Sequence, residues 1–235
     1  MSYASSSRIL LALTLSAVTA SGASAQLNLQ GYTNGAFNSA TPPNVPTAQT
    51  AVIGPLTFTN AQFNVTTVGD FAAIGSAPSP AGTQGFNNLG SLSLANGSNF
   101  NFGGNTFALR VTFTVPSGVI GNTSGNNSSV FSALLMGEVS NVGTGDTGGA
   151  LVTFTSPSQT FAFGAGAGAG TFVFSVNNTS VSRGRLVPIT AQITAAQLLS
   201  GQAFTAVPEP ATVVLMGTGL LGVALAGLNR RKRNG

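Results

Sequence analysis

The stretch FALRVTFTV, residues 107–115, carries the clearest structural pattern in this 235-residue chain. Its apolar positions are Phe107, Leu109, Val111, Phe113 and Val115, and they alternate with Ala108, Arg110, Thr112 and Thr114. Successive side chains of a β-strand point to opposite faces of the sheet, so this alternation predicts a strand with one buried face. One buried and one solvated face are typical of an antiparallel sheet. We therefore predict a half-buried strand here.

Similar short runs occur on both sides of this stretch. Segments rich in Phe, Val, Leu and Thr occur at 56–65, 91–94, 130–139, 151–155, 160–163, 171–176 and 187–193. Loops containing Gly, Asn and Ser separate most of them. No long segment has helical periodicity, and residues 194–204 fit either a short helix or a final strand with its linker. The pattern predicts an all-β domain over residues 26–206, an antiparallel β-sandwich for which a jelly roll is one arrangement.

The charges of the chain are concentrated at its two ends. The chain has eight basic and four acidic side chains, but between Gln26 and Val207 three arginines are balanced by three carboxylates. A nucleic-acid surface needs a stripe of Lys and Arg to neutralise phosphates. The predicted domain has no such stripe, so we expect no nucleic-acid partner.

The residue types that most catalytic sites need are scarce. The sequence has no His, Cys or Trp, which excludes disulfides, thiolate zinc sites and histidine bases. The one carboxylate of GTGDTGG, Asp146, is too little for a calcium site. The run GAGAGAG at 164–170 lacks the lysine of a phosphate-binding loop and predicts a connection between strands. We predict no catalytic, cofactor-binding or metal-binding residue, no cofactor, and no enzyme.

The first 25 residues have the three parts of a secretory signal peptide in order. Arg8 precedes an apolar run over residues 9–18, and small residues follow up to Ala23-Ser24-Ala25. The run is too short to span a bilayer but suits the hydrophobic region of a signal peptide. We predict cleavage after Ala25, with Ala23 and Ala25 as the signal peptidase site, and export of the remaining chain.

The last 29 residues, 207–235, differ in composition from the rest of the chain. VPEPAT at 207–212 leads into an uncharged run at 211–228, which as a helix would cover about 27 Å and could span a bilayer. A basic cluster follows, made of Arg230, Arg231, Lys232 and Arg233. Such a cluster stays on the cytoplasmic side, so we predict that the domain lies outside. The prolines keep the segment before the helix extended and accessible to a protease.

This tail closely resembles the PEP-CTERM sorting signal. The resemblance is carried by the motif residues Val207, Pro208, Glu209 and Pro210, the glycine-bearing apolar run and the terminal basic cluster. It implies recognition by exosortase, a membrane-embedded transpeptidase-like enzyme that processes the tail near Pro-Glu-Pro. Proteins of this kind occur in Gram-negative bacteria, often in species that make exopolysaccharide. The resemblance implies transient anchoring in the inner membrane, followed by release to the cell surface or extracellular matrix.

Two non-catalytic functions fit the sequence. The first is a structural protein of the cell surface or matrix that associates with exopolysaccharide, for which a neutral domain with polar loops is suited. The alternative is a carbohydrate-binding or adhesive module. Sugar sites usually include an aromatic ring, and Tyr32 is the only tyrosine outside the signal peptide.

Overall fold

The computed structural model describes residues 26–79, 82–96, 99–121, 127–140, 147–164 and 169–198. These residues form 17 strands and no helix, which confirms the all-β prediction. The strands are β1 (Asn28–Phe37), β2 (Thr50–Ile53), β3 (Leu56–Thr59), β4 (Ala61–Thr66), β5 (Ala72–Ile74), β6 (Gly85–Phe86), β7 (Ser91–Leu94), β8 (Phe100–Asn101), β9 (Thr106–Val115), β10 (Ser128–Met136), β11 (Glu138–Ser140), β12 (Thr147–Phe154), β13 (Ser158–Phe163), β14 (Gly170–Val176), β15 (Thr179–Ser182), β16 (Leu186–Pro188) and β17 (Ala191–Leu198).

The described strands form three sheets. Sheet A has nine strands in the order β6-β4-β1-β9-β10-β12-β11-β8, with β15 paired to β12. Sheet B has the order β16-β7-β3-β2, and sheet C has the order β13-β14-β17-β5. Strand pairs are antiparallel, as predicted, except for the short pair of β4 with β6, which is parallel.

Phenylalanine rings fill the core between the sheets. Eleven of the sixteen phenylalanines are buried. Phe113 of sheet A contacts Phe161 and Phe172 of sheet C, with ring centroids 4.9 and 5.2 Å apart. Phe107 of sheet A contacts Phe58 of sheet B at 5.1 Å. The inner face of sheet A therefore packs against both smaller sheets.

The strand at 107–115 is present as β9, but it is not half-buried. Its apolar face is in the core as predicted. On the opposite face, Ala108 and Thr112 are also buried, at 3% and 1% exposure. The segment between β1 and β2, residues 38–49, accounts for this difference: Thr112 Oγ1 donates to Asn44 Oδ1 of that segment at 2.9 Å. A cover supplied by a distant segment leaves no mark on the alternation of β9 itself.

Three of the predicted strands are each divided in two. Residues 56–65 become β3 in sheet B and β4 in sheet A, and residues 187–193 become β16 in sheet B and the start of β17 in sheet C. Residues 130–139 divide at Gly137 into β10 and β11. The prediction of single strands is wrong at these places because the chain turns a corner or bulges without interrupting its apolar pattern.

Some strands had no counterpart in the sequence-based prediction. They are β1, β2, β5, β6, β8 and β15. For residues 194–204 the strand alternative is confirmed as far as Leu198, where the described part of β17 ends. The glycine-rich run at 164–170 connects β13 to β14, which pair with each other, as predicted for a connection between strands.

Candidate functional site

All predicted sorting and processing residues lie outside the described part of the chain. They are the signal peptidase residues Ala23 and Ala25, the motif residues Val207, Pro208, Glu209 and Pro210, the apolar run 211–228, and the basic cluster Arg230, Arg231, Lys232 and Arg233. Their roles remain predictions. Within the described ranges, no helix has the length and apolar character needed to cross a membrane.

The described acidic residues are not clustered into a metal site. Asp70 and Glu138 are exposed, and Asp146 lies outside the described ranges. Among the described residues, no three acidic, histidine or cysteine side chains lie close enough together to hold a metal ion. The buried Arg183 serves the fold, since its Nη1 donates to the carbonyl of Ser140 at 2.7 Å.

An uncharged cleft of mixed polar and apolar lining lies on sheet A, on the face opposite the phenylalanine core. It has a volume of about 370 Å³, and its lining includes Gln30, Tyr32, Gln62, Asn64 and Phe86. We call it the amide cleft. The residues come from three strands that are separate in the sequence, β1, β4 and β6.

The strand register explains how these side chains meet. Tyr32 of β1 lies opposite Gln62 of β4, which in turn lies beside Phe86 of β6. Two residues along, Gln30 lies opposite Asn64. Because alternate residues of a strand share a face, and directly paired residues have neighbouring Cβ atoms, these five side chains form two adjacent rows.

The segment 38–49 forms one wall of the amide cleft. Tyr32 Oη donates to Asn44 Oδ1 at 3.0 Å. Gln62 Nε2 donates to the carbonyl of Pro46 at 3.2 Å, and Gln84 Nε2 donates to the same carbonyl at 2.8 Å. These bonds fix the tyrosine ring and the Gln62 amide in position, so the cleft is preformed.

The amides of the cleft are only partly satisfied within the protein. Asn28 Nδ2 donates to Asn64 Oδ1 at 3.0 Å, and Gln30 Nε2 donates to Asn28 Oδ1 at 3.0 Å. Among the described residues, no group hydrogen-bonds to Gln62 Oε1, Gln30 Oε1 or Asn64 Nδ2. Two acceptors and one donor group therefore remain available in the cleft.

Phe86 gives the amide cleft an apolar surface. It is 58% exposed, although most phenylalanines of the chain are buried. Its strand, β6, has only two residues and is held by backbone pairing with β4, so the ring is not needed to complete the core. No side chain lining the cleft is Asp, Glu, Lys or Arg. The site thus combines an exposed ring with uncharged hydrogen-bonding groups.

The sequence predicted no residue of the amide cleft, and the single tyrosine Tyr32 counted there against a sugar site. Gln62 and Asn64 alternate with buried Phe63 in β4, so their shared face follows from the pattern AQFNVT. Their partners on β1 and β6 did not follow, because neither strand was predicted. A search for amide side chains on the polar face of predicted strands would have found Gln62 and Asn64, two of these five residues.

The described part of the chain is all-β and carries the uncharged amide cleft on sheet A. At its C-terminal end, residues 206–233 match the family model of the PEP-CTERM protein-sorting motif. The chain therefore carries a PEP-CTERM sorting domain, as the sequence predicted, and the motif indicates an exported protein that is processed by exosortase. The matched range includes the Pro-Glu-Pro residues and the basic cluster, and leaves the described β strands outside it. Comparison with curated proteins and with solved structures finds no match.

Proposed function

We propose that the chain is a non-catalytic protein of the bacterial cell surface or extracellular matrix, retained there with exopolysaccharide. The observation that carries the proposal is the sorting-motif match at residues 206–233. A sorting signal determines where a protein is located, so the domain that precedes it acts at that location. The domain's neutrality suits a hydrated, uncharged matrix.

The tail acts in a defined order in this proposal. The signal peptide 1–25 directs export and is removed after Ala25. The run 211–228 then spans the inner membrane, with the basic cluster 230–233 in the cytoplasm. This arrangement places Pro208-Glu209-Pro210 just outside the bilayer, on the same side as the domain. Exosortase processes the chain near this segment, so the anchor is temporary.

Residue chemistry supports a non-catalytic domain. The chain has four carboxylic side chains, no histidine and no cysteine, and it has no lysine between Gln26 and Val207. Few groups are therefore present that could transfer protons or attack a substrate. The three sheets support a β-sandwich, since sheet A faces sheets B and C across one phenylalanine core, the layered arrangement of that architecture. We propose such a sandwich as a rigid carrier of surface sites.

A carbohydrate-binding or adhesive module is the second candidate function. The amide cleft favours it, because an exposed ring beside uncharged donors and acceptors is the composition that a sugar site needs. The two candidates are compatible, since a matrix protein with a sugar site would be retained by its own ligand.

The sorting proposal is tested with a Glu209→Ala variant expressed in an exosortase-bearing host. We expect the variant to keep its C-terminal tail, while the unmodified chain loses it, as read from intact masses. Glu138→Ala is the matched control, because Glu138 is an exposed glutamate of the β domain and its loss should leave processing unchanged. Equal processing of the Glu209 variant and the unmodified chain would rule out the proposed role of the motif.

A further inference from the structure

We propose that the amide cleft binds a neutral polysaccharide, with Phe86 stacking on a sugar ring and the cleft amides bonding its hydroxyls. The proposal rests on the proposed function in one respect: it names the class of matrix component that would retain the protein. The site, its residues and its specificity follow from the geometry of sheet A alone.

Phe86 lies at the edge of the amide cleft with its ring exposed. The Phe86 ring is 58% exposed, so a ligand that covers it would remove apolar surface from water. The ring lies next to Gln62 in the register, so a ligand stacked on it would reach the Gln62 amide. A sugar ring presents an apolar face of C–H groups with hydroxyls around its edge, which matches an aromatic ring flanked by amides.

The amide cleft also offers hydrogen-bonding atoms that no described residue uses. Gln62 Oε1 and Gln30 Oε1 accept, and Asn64 Nδ2 donates, and none of them has a partner among the described residues. A hydroxyl both donates and accepts, so neighbouring hydroxyls of a sugar can satisfy such a mixed set. Because hydrogen bonds within the protein already hold these three amides, little side-chain entropy is lost on binding.

The lining of the amide cleft carries no charged side chain, which favours a neutral sugar over a charged one. No Lys or Arg lines the cleft to bind a carboxylate or sulfate, and no Asp or Glu lines it to bind a cation. An anionic polysaccharide would therefore enter without a counter-charge and would lose hydration that the cleft does not replace. A neutral glycan loses no such charge hydration. Binding should consequently be insensitive to salt.

The cleft is open at the surface and lies across several strands, which fits a polymer better than a small enclosed ligand. Its lining runs from Phe86 at β6, across β4 and β1, to Thr114 of β9. Neighbouring strands lie about 4.8 Å apart, so four strands cover roughly 14 Å, the length of two to three sugar units. We therefore expect longer oligosaccharides to bind more tightly than single sugars.

The test uses the full chain, purified in a detergent that has no sugar headgroup. Its binding is measured by calorimetry against neutral α- and β-glucans and a mannan, and against alginate as an anionic polymer. Each titration is run at about 0.05 and about 0.5 M sodium chloride. We expect binding of at least one neutral polymer, with the same affinity at both salt concentrations, and none of alginate.

Phe86→Ala is the decisive variant. We expect its affinity for the neutral polymer to fall by about tenfold, the equivalent of one aromatic contact. Phe71→Ala is the matched control, because Phe71 is also exposed, at 47%, and lies outside the cleft. Should Phe86→Ala fail to fold, Gln62→Ala with exposed Gln192→Ala as control provides a second test.

Three results would overturn the proposal: no neutral polymer binds, Phe86→Ala or Gln62→Ala binds as tightly as the unmodified chain, or alginate binds more tightly and weakens with salt. Because this measurement uses purified full chain, its outcome is independent of processing in cells. The Glu209→Ala experiment can thus fail while sugar binding stands, and the reverse also holds.

Discussion

Two glycines on the inner face of β1 make room for phenylalanine rings from neighbouring strands. A Cβ atom at Gly31 would lie 2.6 Å from the ring of Phe63, and one at Gly35 would lie 2.6 Å from Phe58 and 2.7 Å from Phe107. These separations are far inside van der Waals contact, so the rings occupy the space that side chains of β1 would need. Gly31 and Gly35 thus contribute to the core by having no side chain, and not by being apolar.

Replacing Gly35 by alanine should therefore destabilise the fold. We expect Gly35→Ala to lower the free energy of unfolding by about 1–3 kcal/mol, because the rings of Phe58 and Phe107 must move within a packed core. The measurement is thermal or urea unfolding followed by circular dichroism. Gly75→Ala is the control, since its Cβ would meet only the Thr190 methyl at 3.3 Å, and it should change stability by less than about 1 kcal/mol. Equal stability of the Gly35 variant and the unmodified chain would refute this packing argument.

The same glycines explain why β1 could not be predicted from its sequence. The inner-face positions of NLQGYTNGAF read Leu29, Gly31, Thr33, Gly35 and Phe37, and only two of the five are large and apolar. Periodicity detects a buried face through apolar side chains, so a face completed by rings from other strands escapes it. In contrast, β9 carries its own core side chains, and its bounds were predicted to within one residue.

Asn60 forms the corner at which the chain leaves sheet B and enters sheet A. It is fully buried between β3 and β4. Its Oδ1 accepts from Gln49 N, and its Nδ2 donates to the Thr47 carbonyl, both at 2.8 Å. Its backbone carbonyl also accepts from Gly85 N at 2.8 Å. The side chain thus ties residues 47–49 to the corner, in addition to the two bonds that the Asn60 backbone makes there.

Removing this amide should loosen the corner. Asn60→Ala leaves Gln49 N and the Thr47 carbonyl without their partners, and we expect the free energy of unfolding to fall by about 2 kcal/mol. Asn177→Ala provides the comparison, because exposed Asn177 makes one side-chain bond, to Thr190 Oγ1 at 2.8 Å, and water can replace it. That control should cost less than about 1 kcal/mol. Urea unfolding distinguishes the two, and an equal loss for both variants would contradict the role of Asn60.

The corner also shows why whole strands were predictable but their sheets were not. LTFTNAQFNV keeps apolar residues on both sides of Asn60, so its pattern predicts one strand. An asparagine within an apolar run can indicate such a corner. A buried amide needs hydrogen-bond partners, and at Asn60 these are backbone groups of the neighbouring segment. Which sheet each half joins depends on partners far away in the chain, and periodicity does not report them.

Across the whole molecule, the sequence predicted those features that are formed by residues close together in the chain. The sorting tail is a contiguous series of motif, apolar run and cations, so it was recognised and the family match confirms it. The amide cleft assembles Gln30, Gln62 and Phe86 from strands up to 56 positions apart, through a register that no single segment determines. The sorting motif was thus easier to predict than the amide cleft.

We propose that the chain is exported through its signal peptide and loses its tail at the inner membrane before it reaches the cell surface or matrix. The most direct test is the intact mass of the protein recovered from the surface or matrix of its own cells. We predict a chain that begins at Gln26 and ends near Pro208-Glu209-Pro210, without the run 211–228 and the basic cluster. Recovery of a chain that still extends to Gly235 would contradict the claim.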